Sequence, residues 1–390
     1  MRLSYNLFKT RVKVKLTSKS PPDIILTAKQ ALETELLVKA IYSHIVSNYP
    51  NGSVRESFRK VIEMEKLHIN FWEDFLKSRG LETAKIKPSS FNRELYKVLL
   101  NVMGRGLTLR LMKYYESQAI DLYSEMMDDS GLTDDEKKQL SKVLEDEFVH
   151  EELFINESTK YEGFVTHIKD AVLGMNDGLV EILGVTTGLA GVYGAPFSVA
   201  IGGLVVGLAG ALSMGLSTFT SSRAQRHVQE GVLKRITSSS KFVAHILKDR
   251  VVHHLIRRGY STKLAEEVAN ESAKDSGMLS NFIAQEEYGL KEEDLGDPSK
   301  AAMYAGIANL LGAFLPLMPY FIVKEISVAI ISSLILATIA LAITGFLVSI
   351  LASMPPSKKI AEMIFSGLGS AAITYVIGRM ASVLLRTGSI

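Results

Sequence analysis

Two stretches of this chain carry the same pair of metal-capable side chains. "IEMEKLHINFWEDF", residues 62–75, holds Glu65 and His68, and "LEDEFVHEELF", residues 144–154, holds Glu147 and His150. Residues three apart share a helix face, so each Glu-x-x-His pair can point at one place. Each pair also has a bare glutamate upstream at a matched distance: Glu35 stands thirty residues before Glu65, and Glu116 thirty-one before Glu147. In such a set two carboxylates can bridge a pair of divalent ions while the others neutralise charge, and each imidazole, which suits iron, fixes a terminal position. The expectation is therefore two iron ions held by Glu35, Glu65, His68, Glu116, Glu147 and His150, with Mn2+ or Zn2+ as substitutes. Positions left open would admit oxygen or peroxide. Glu33 competes with Glu35 for the first place, Glu151 and Glu152 lie near the set, and Glu63, Glu145 and Asp146 read as surface charges.

The chain has no cysteine, which excludes disulfides, thiolate zinc sites, iron–sulfur clusters and the Cys-bound iron of a rubredoxin module. A formal net charge of +2 over 390 residues gives no lead toward nucleic acid. Residues 1–22 form a basic N-terminal segment without the continuous apolar core of a secretory signal, so this end is expected to stay in the cytoplasm.

The elements that must position the six ligands read as helices. "PDIILTAKQALETELLVKAIYSHIVSN" repeats its apolar residues at spacings of three and four, after Pro21 and Pro22 and before "YPNG". The next helix is expected to start at a capping Ser53 and close at Gly80. Residues 81 to about 104 read as a loop and a shorter helix bridging to the far end. A second helical pair follows, turning at Gly131 with Thr133 as N-cap. Two hairpins joined by one long crossover make a four-helix bundle.

With its paired Glu-x-x-His motifs and upstream glutamates, the region 23–164 resembles the ferritin-like di-iron carboxylate proteins. Rubrerythrins are similar but carry a further Glu one turn after the position of Glu116, where this chain has Ala119. That departure, with the missing rubredoxin module, favours a ferroxidase or iron-sensing bundle over a peroxidase.

Beyond residue 164 charge becomes sparse, and five segments have the length and apolar character of membrane spans, at about 171–193, 197–219, 301–323, 326–351 and 361–385. The fold class expected is all-α: the bundle, then a five-span helical membrane domain over 165–390 with a cytosolic helical insert at about 222–300. Lys169, Arg223, Arg226, Lys358 and Lys359 fall on one side of these spans, placing the N-terminus inside and the C-terminus outside the cytoplasmic membrane. Charges inside a span are expensive and usually functional. Asp177 and Glu181 lie one turn apart in span one and could line a polar path, and Met214 in span two could set a soft thioether beside them. The competing reading has Asp177 cap a helix broken at Gly178. The many Gly and Ala residues of spans one and two suggest close helix packing, as across a dimer.

"DAVLGMNDGLVEILGVTTGLAG", "GALSMGL" and the Asp297-Pro298 lead into span three resemble the vacuolar iron transporter (CCC1-type) family. The resemblance implies a five-span homodimer that moves Fe2+, and often Mn2+, out of the cytosol, with H+ exchanged. It places the family's span-one Asp on Asp177 and its span-two Met on Met214. It also implies a metal-gathering insert, yet this insert begins "EGVLKRITSSSKFVAHILKDRVVHHL", basic where acids are expected. Glu287 matches, and Glu286, Glu267 and Glu271 complete a possible insert site, with Glu266 and Asp275 adding acid nearby; His253 and His254 read as surface residues. The whole chain is similar to the membrane-bound ferritins, which implies iron export and peroxide tolerance, with the bundle taking over capture or oxidation of iron. The alternative is a membrane-anchored di-iron ferroxidase or peroxidase.

Overall fold

The computed structural model describes residues 22–48, 52–88, 90–129, 131–240, 242–290 and 296–387. The expected N-terminal segment, apart from Pro22, lies outside them. Twelve helices and no strand occur among the described residues, as the all-α reading expects. The chain divides into two compact units, one built on 1–169 with 342–365, the other on 170–341 with 366–390.

In the first unit α1 (Pro22–Asn48), α2 (Ser53–Lys77), α3 (Ser90–Met127) and α4 (Asp134–Thr159) form the bundle. The cap expected at Ser53 falls one residue earlier: Gly52 is the N-cap, and no side chain closes that end. The bridging helix and the third bundle helix run together as α3, broken only at Gly104, whose φ of 70° lies in the left-handed region that glycine adopts without strain. Thr133 begins α4 with a reciprocal capping box: its hydroxyl accepts from the Glu136 amide at 3.2 Å, and Glu136 accepts from the Thr133 amide at 2.9 Å. Arg79, stacked on Phe75, grips the same Glu136 at 2.6 Å and 3.1 Å, which ties the end of α2 to the start of α4.

Two apolar clusters fill the bundle. Leu37, Tyr42, Phe58, Val61, Met112 and Phe154 belong to one. Ile25, Leu32, Trp72, Tyr123, Leu140 and Val143 belong to the other. On every helix the stretch between the two clusters is where the Glu and His residues of interest fall.

The second unit contains most of α5 (Glu162–Val192), then α6 (Pro196–Ser240), α7 (Ala244–Arg257), α8 (Thr262–Ser272), α9 (Ser276–Tyr288) and α10 (Pro298–Ile322), and parts of α11 (Ile326–Leu351) and α12 (Pro356–Thr387). Among the described residues, four helices are long and apolar enough to cross a membrane: α6, α10, α11 and α12. The first expected span, in α5, is not among them; Asn176, Asp177 and Glu181 dilute its apolar character. The helix that carries expected span two does not stop near residue 219. Its helix α6 runs 45 residues, about 67 Å at ~1.5 Å per residue, roughly twice the ~30 Å hydrocarbon thickness. No Pro interrupts "SSRAQRHVQEGVLKRITSSS", so the helix continues into the insert. There Ile236 joins Leu247, Val251, Leu255, Ala265, Leu279 and Ile283 in a small core of its own.

Glycines let the membrane helices approach backbone to backbone. Gly174 and Gly178 of α5 lie against the carbonyls of Ala305 and Asn309 on α10, and Gly312 of α10 lies against that of Met175. Gly188 and Gly191 do the same toward α12. The small residues of the first two expected spans are thus used inside the protomer. Helix α5 runs unbroken through Gly178, which removes the reading of Asp177 as the cap of a broken helix.

Candidate metal centres

The six sequence-selected residues of the bundle converge. Glu35 on α1, Glu65 and His68 on α2, Glu116 on α3, and Glu147 and His150 on α4 are each 3% exposed or less. Their ligand atoms fall into three overlapping groups: Glu35, His68, Glu147; Glu65, His68, His150; and Glu116, Glu147, His150. Within each group the atoms lie within 4.8 Å of one another. His68 Nδ1 lies 3.2 Å from Glu147, 3.8 Å from Glu65 and 3.9 Å from Glu35. His150 Nδ1 lies 3.5 Å from Glu65, 3.5 Å from Glu116 and 3.6 Å from Glu147. Glu65 and Glu147 therefore reach both imidazoles, while Glu35 pairs with His68 alone and Glu116 with His150 alone. In that arrangement Glu65 and Glu147 would hold both ions, Glu35 one and Glu116 the other.

The polar atoms there fit a pair of cations. Both oxygens of Glu65 and the Nδ1 atoms of both histidines are buried without a hydrogen-bond partner, a costly state for a protein interior. Burial, then repulsion from Glu35, holds the Glu65 carboxyl well above the usual range. Burial and Glu116 do the same to Glu147. Burial also works against ionising Glu116, but its contacts with Glu147, His150 and the Tyr42 hydroxyl outweigh that and hold it low.

Two residues the sequence reading missed complete the set. Tyr42 on α1 donates to Glu116 on α3, and Tyr123 on α3 donates to Glu35 on α1. The signal was present, since a Tyr follows each bare glutamate seven residues on, two helical turns along the same face. Burial and then the adjoining carboxylates push both phenols well above their ordinary range, so each stays a donor. Asp146, read as a surface charge, instead reaches His68 Nε2 at 3.4 Å. Glu63 does stand outward, paired with Lys66 at 2.7 Å, and Glu145 is exposed as well. Ala119 packs against the second apolar cluster and brings no seventh carboxylate.

In the second unit Asp177 and Glu181 stand on the accessible side of α5, one turn apart. The Glu181 carboxylate lies over Gly210 of α6, where an added Cβ would come within 2.7 Å of it. Met214, half-buried, follows Gly210 by one turn of the same helix. Asn309, which the sequence reading passed over, is 2% exposed on α10 beside Gly178, with its amide oxygen unpartnered. A lone amide within an apolar helix was the available clue.

Among the described residues the insert acids form no metal-capable group. Glu287 is held by Arg250, whose Nε donates at 3.1 Å, and Glu286 by Arg258 at 2.6 Å and His254 at 3.4 Å. His254 is thus half-buried rather than a free surface residue. Glu267 and Glu271 are exposed on α8, and Glu271 pairs with Lys274 at 2.5 Å. All metal-capable clusters found among the described residues lie in the bundle.

An all-α chain joining a buried carboxylate–imidazole cluster to apolar helices with a carboxylate pair defines a class: a metal-handling, multi-pass membrane protein. The profile of the VIT family matches residues 168–379, more than half the chain, and the chain belongs to that family. The rubrerythrin profile matches residues 28–158, so the N-terminal bundle is a rubrerythrin-type, ferritin-like domain whose cluster is consistent with iron binding. Among similar proteins, Vacuolar iron transporter 1 of Arabidopsis thaliana is 24% identical over 213 residues, 55% of this chain and 85% of that protein. Vacuolar iron transporter 1 of Eucalyptus grandis is 26% identical over 53% of this chain and 84% of its own length. Protein CCC1 of Saccharomyces cerevisiae is 24% identical over 54% and 68%.

Proposed function

We propose that the chain exports Fe2+, and Mn2+ with it, from the cytoplasm, and that its ferritin-like domain captures the metal before transport. The observation that carries this reading is the carboxylate pair of α5, Asp177 and Glu181, with Glu181 lying over Gly210 of α6, one turn before Met214. Each charge in a span costs about 3 kcal/mol at mid-bilayer, a cost that mere anchoring gives no reason to bear. In this reading α5 is a fifth span despite its polar residues, and Asp177, Glu181 and Met214 pass the metal while protons move the other way. The bundle, residues 23–164, faces the cytoplasm, the C-terminus lies outside, and two copies pair as a homodimer that covers the accessible acidic side of α5.

Iron in the bundle would supply one-electron chemistry toward oxygen or peroxide. The protein's part would be to hold it: Glu65 and Glu147 would serve both positions, Glu35 with His68 one, and Glu116 with His150 the other. Tyr123 and Tyr42 fix the terminal carboxylates by donating to them. Protons held by Glu65 and Glu147 must leave as cations enter.

The complete buried ligand set favours one rival, a membrane-anchored di-iron ferroxidase or peroxidase. Everted and right-side-out membrane vesicles containing the protein separate the two. Export predicts Fe2+ accumulation in everted vesicles only, with internal acid lost as metal enters. The rival predicts oxygen or peroxide consumption with no accumulation in either.

A further inference from the structure

The two metal positions are alike in their ligands and unlike behind them. Both histidines turn Nδ1 toward the cluster and Nε2 away from it. When Nδ1 is the ligand atom, Nε2 carries the ring proton and needs an acceptor. His68 Nε2 has one, Asp146 Oδ2 at 3.4 Å, supplied across the bundle by the residue that precedes Glu147. The matching place before Glu65 is Met64, which offers no carboxylate, and His150 Nε2 is buried without a partner. The tyrosine–glutamate pairs repeat faithfully between the hairpins, so this is a specific break in the twofold pattern.

A carboxylate behind a ligating imidazole fixes its tautomer and orientation and makes it a stronger donor, and losing such a partner typically weakens metal binding by 10–100-fold. We propose that the bundle holds two unequal metal positions: a tight one at His68, backed by Asp146, and a weaker, exchangeable one at His150, from which metal leaves. The proposal rests on the reading of the bundle as a two-metal site. Asp146 is a positioning residue, with a side chain 34% exposed that acts through His68.

The test is an anoxic Co2+ titration of the full-length protein in detergent, followed by visible absorption and chelator competition. Subtracting the Glu65→Ala/Glu147→Ala variant isolates the bundle. The expected result is two steps separated by about 10–100-fold. Asp146→Asn should weaken the tight step toward the other and shift its cobalt bands, Asp146→Glu should restore it, and Met64→Asp should tighten the weak step. Two bound ions of equal affinity would overturn the inequality, as would an Asp146→Asn that leaves both steps unmoved or weakens both alike. No difference between the protein and its Glu65→Ala/Glu147→Ala variant would instead overturn the two-metal reading itself.

Discussion

At the scale of single residues, the bundle site depends on which carboxylate reaches which imidazole. Glu65 and Glu147 contact both histidines, whereas Glu35 and Glu116 contact one each. Removing a bridging group should therefore cost both ions, and removing a terminal one should cost a single ion. Metal analysis of anoxically loaded protein is expected to give near zero bound ions for Glu65→Ala and one for Glu35→Ala. The pH dependence follows from the same groups. The folded-state values of Glu65 and Glu147 are raised above the usual Glu value of about 4.3. Their contribution to stability is full below that value and is lost as pH rises through their folded values. Metal-free protein should accordingly melt at lower temperature as pH rises from about 5 toward 8, and metal should tighten with pH because binding expels protons. The only tryptophan, Trp72, is buried in the bundle, so its fluorescence reports this transition; a metal-free melting point that rises with pH would contradict the assignment.

At the scale of elements, what the sequence made legible was whatever one helix face could show. Glu-x-x-His and its upstream Glu lie on periodic faces, so the convergence of six ligands is legible in their spacing alone. Asp146 could not be placed, because its partner lies 78 residues away on another helix. The ion pairs of the insert were out of reach for the same reason: Arg250 and Arg258, at α7 and its C-cap, reach Glu287 and Glu286 on α9, and no local pattern announces that pairing. The continuation of α6 into the insert was not legible because hydropathy falls near residue 219 while helix propensity does not. Thr133, whose cap was legible, gives a modest prediction: Thr133→Ala should lower bundle stability by about 1 kcal/mol, read by Trp72 fluorescence in denaturant. A stronger one concerns Gly178, whose Cβ position is occupied by the Asn309 carbonyl of α10. Backbone cannot yield as a side chain would, so Gly178→Leu should disrupt the membrane unit, seen as loss of a monodisperse peak in detergent. The six bundle ligands all lie in the other unit and should still bind their metal.

At the scale of the whole molecule, the bundle cluster and the carboxylate pair of α5 share one chain, and only Lys160 and Tyr161 separate the last bundle helix from the helix that carries Asp177. Glu286 and Glu287 of the insert are tied to its own arginines and α8 holds Glu266, Glu267 and Glu271 exposed, so the proposed reading gives metal capture to the bundle. Glu287→Gln should then leave the metal dependence of transport unchanged, measured as the Fe2+ concentration giving half-maximal flux. The bundle variant Glu65→Ala/Glu147→Ala should raise that concentration. The most direct measurement is anoxic Fe2+ entry into sealed proteoliposomes containing an internal metal dye, comparing the intact protein with Asp177→Ala. The account predicts rapid entry with the intact protein and background entry with Asp177→Ala; equal entry in both, or none in either while the bundle still binds two ions, would contradict it.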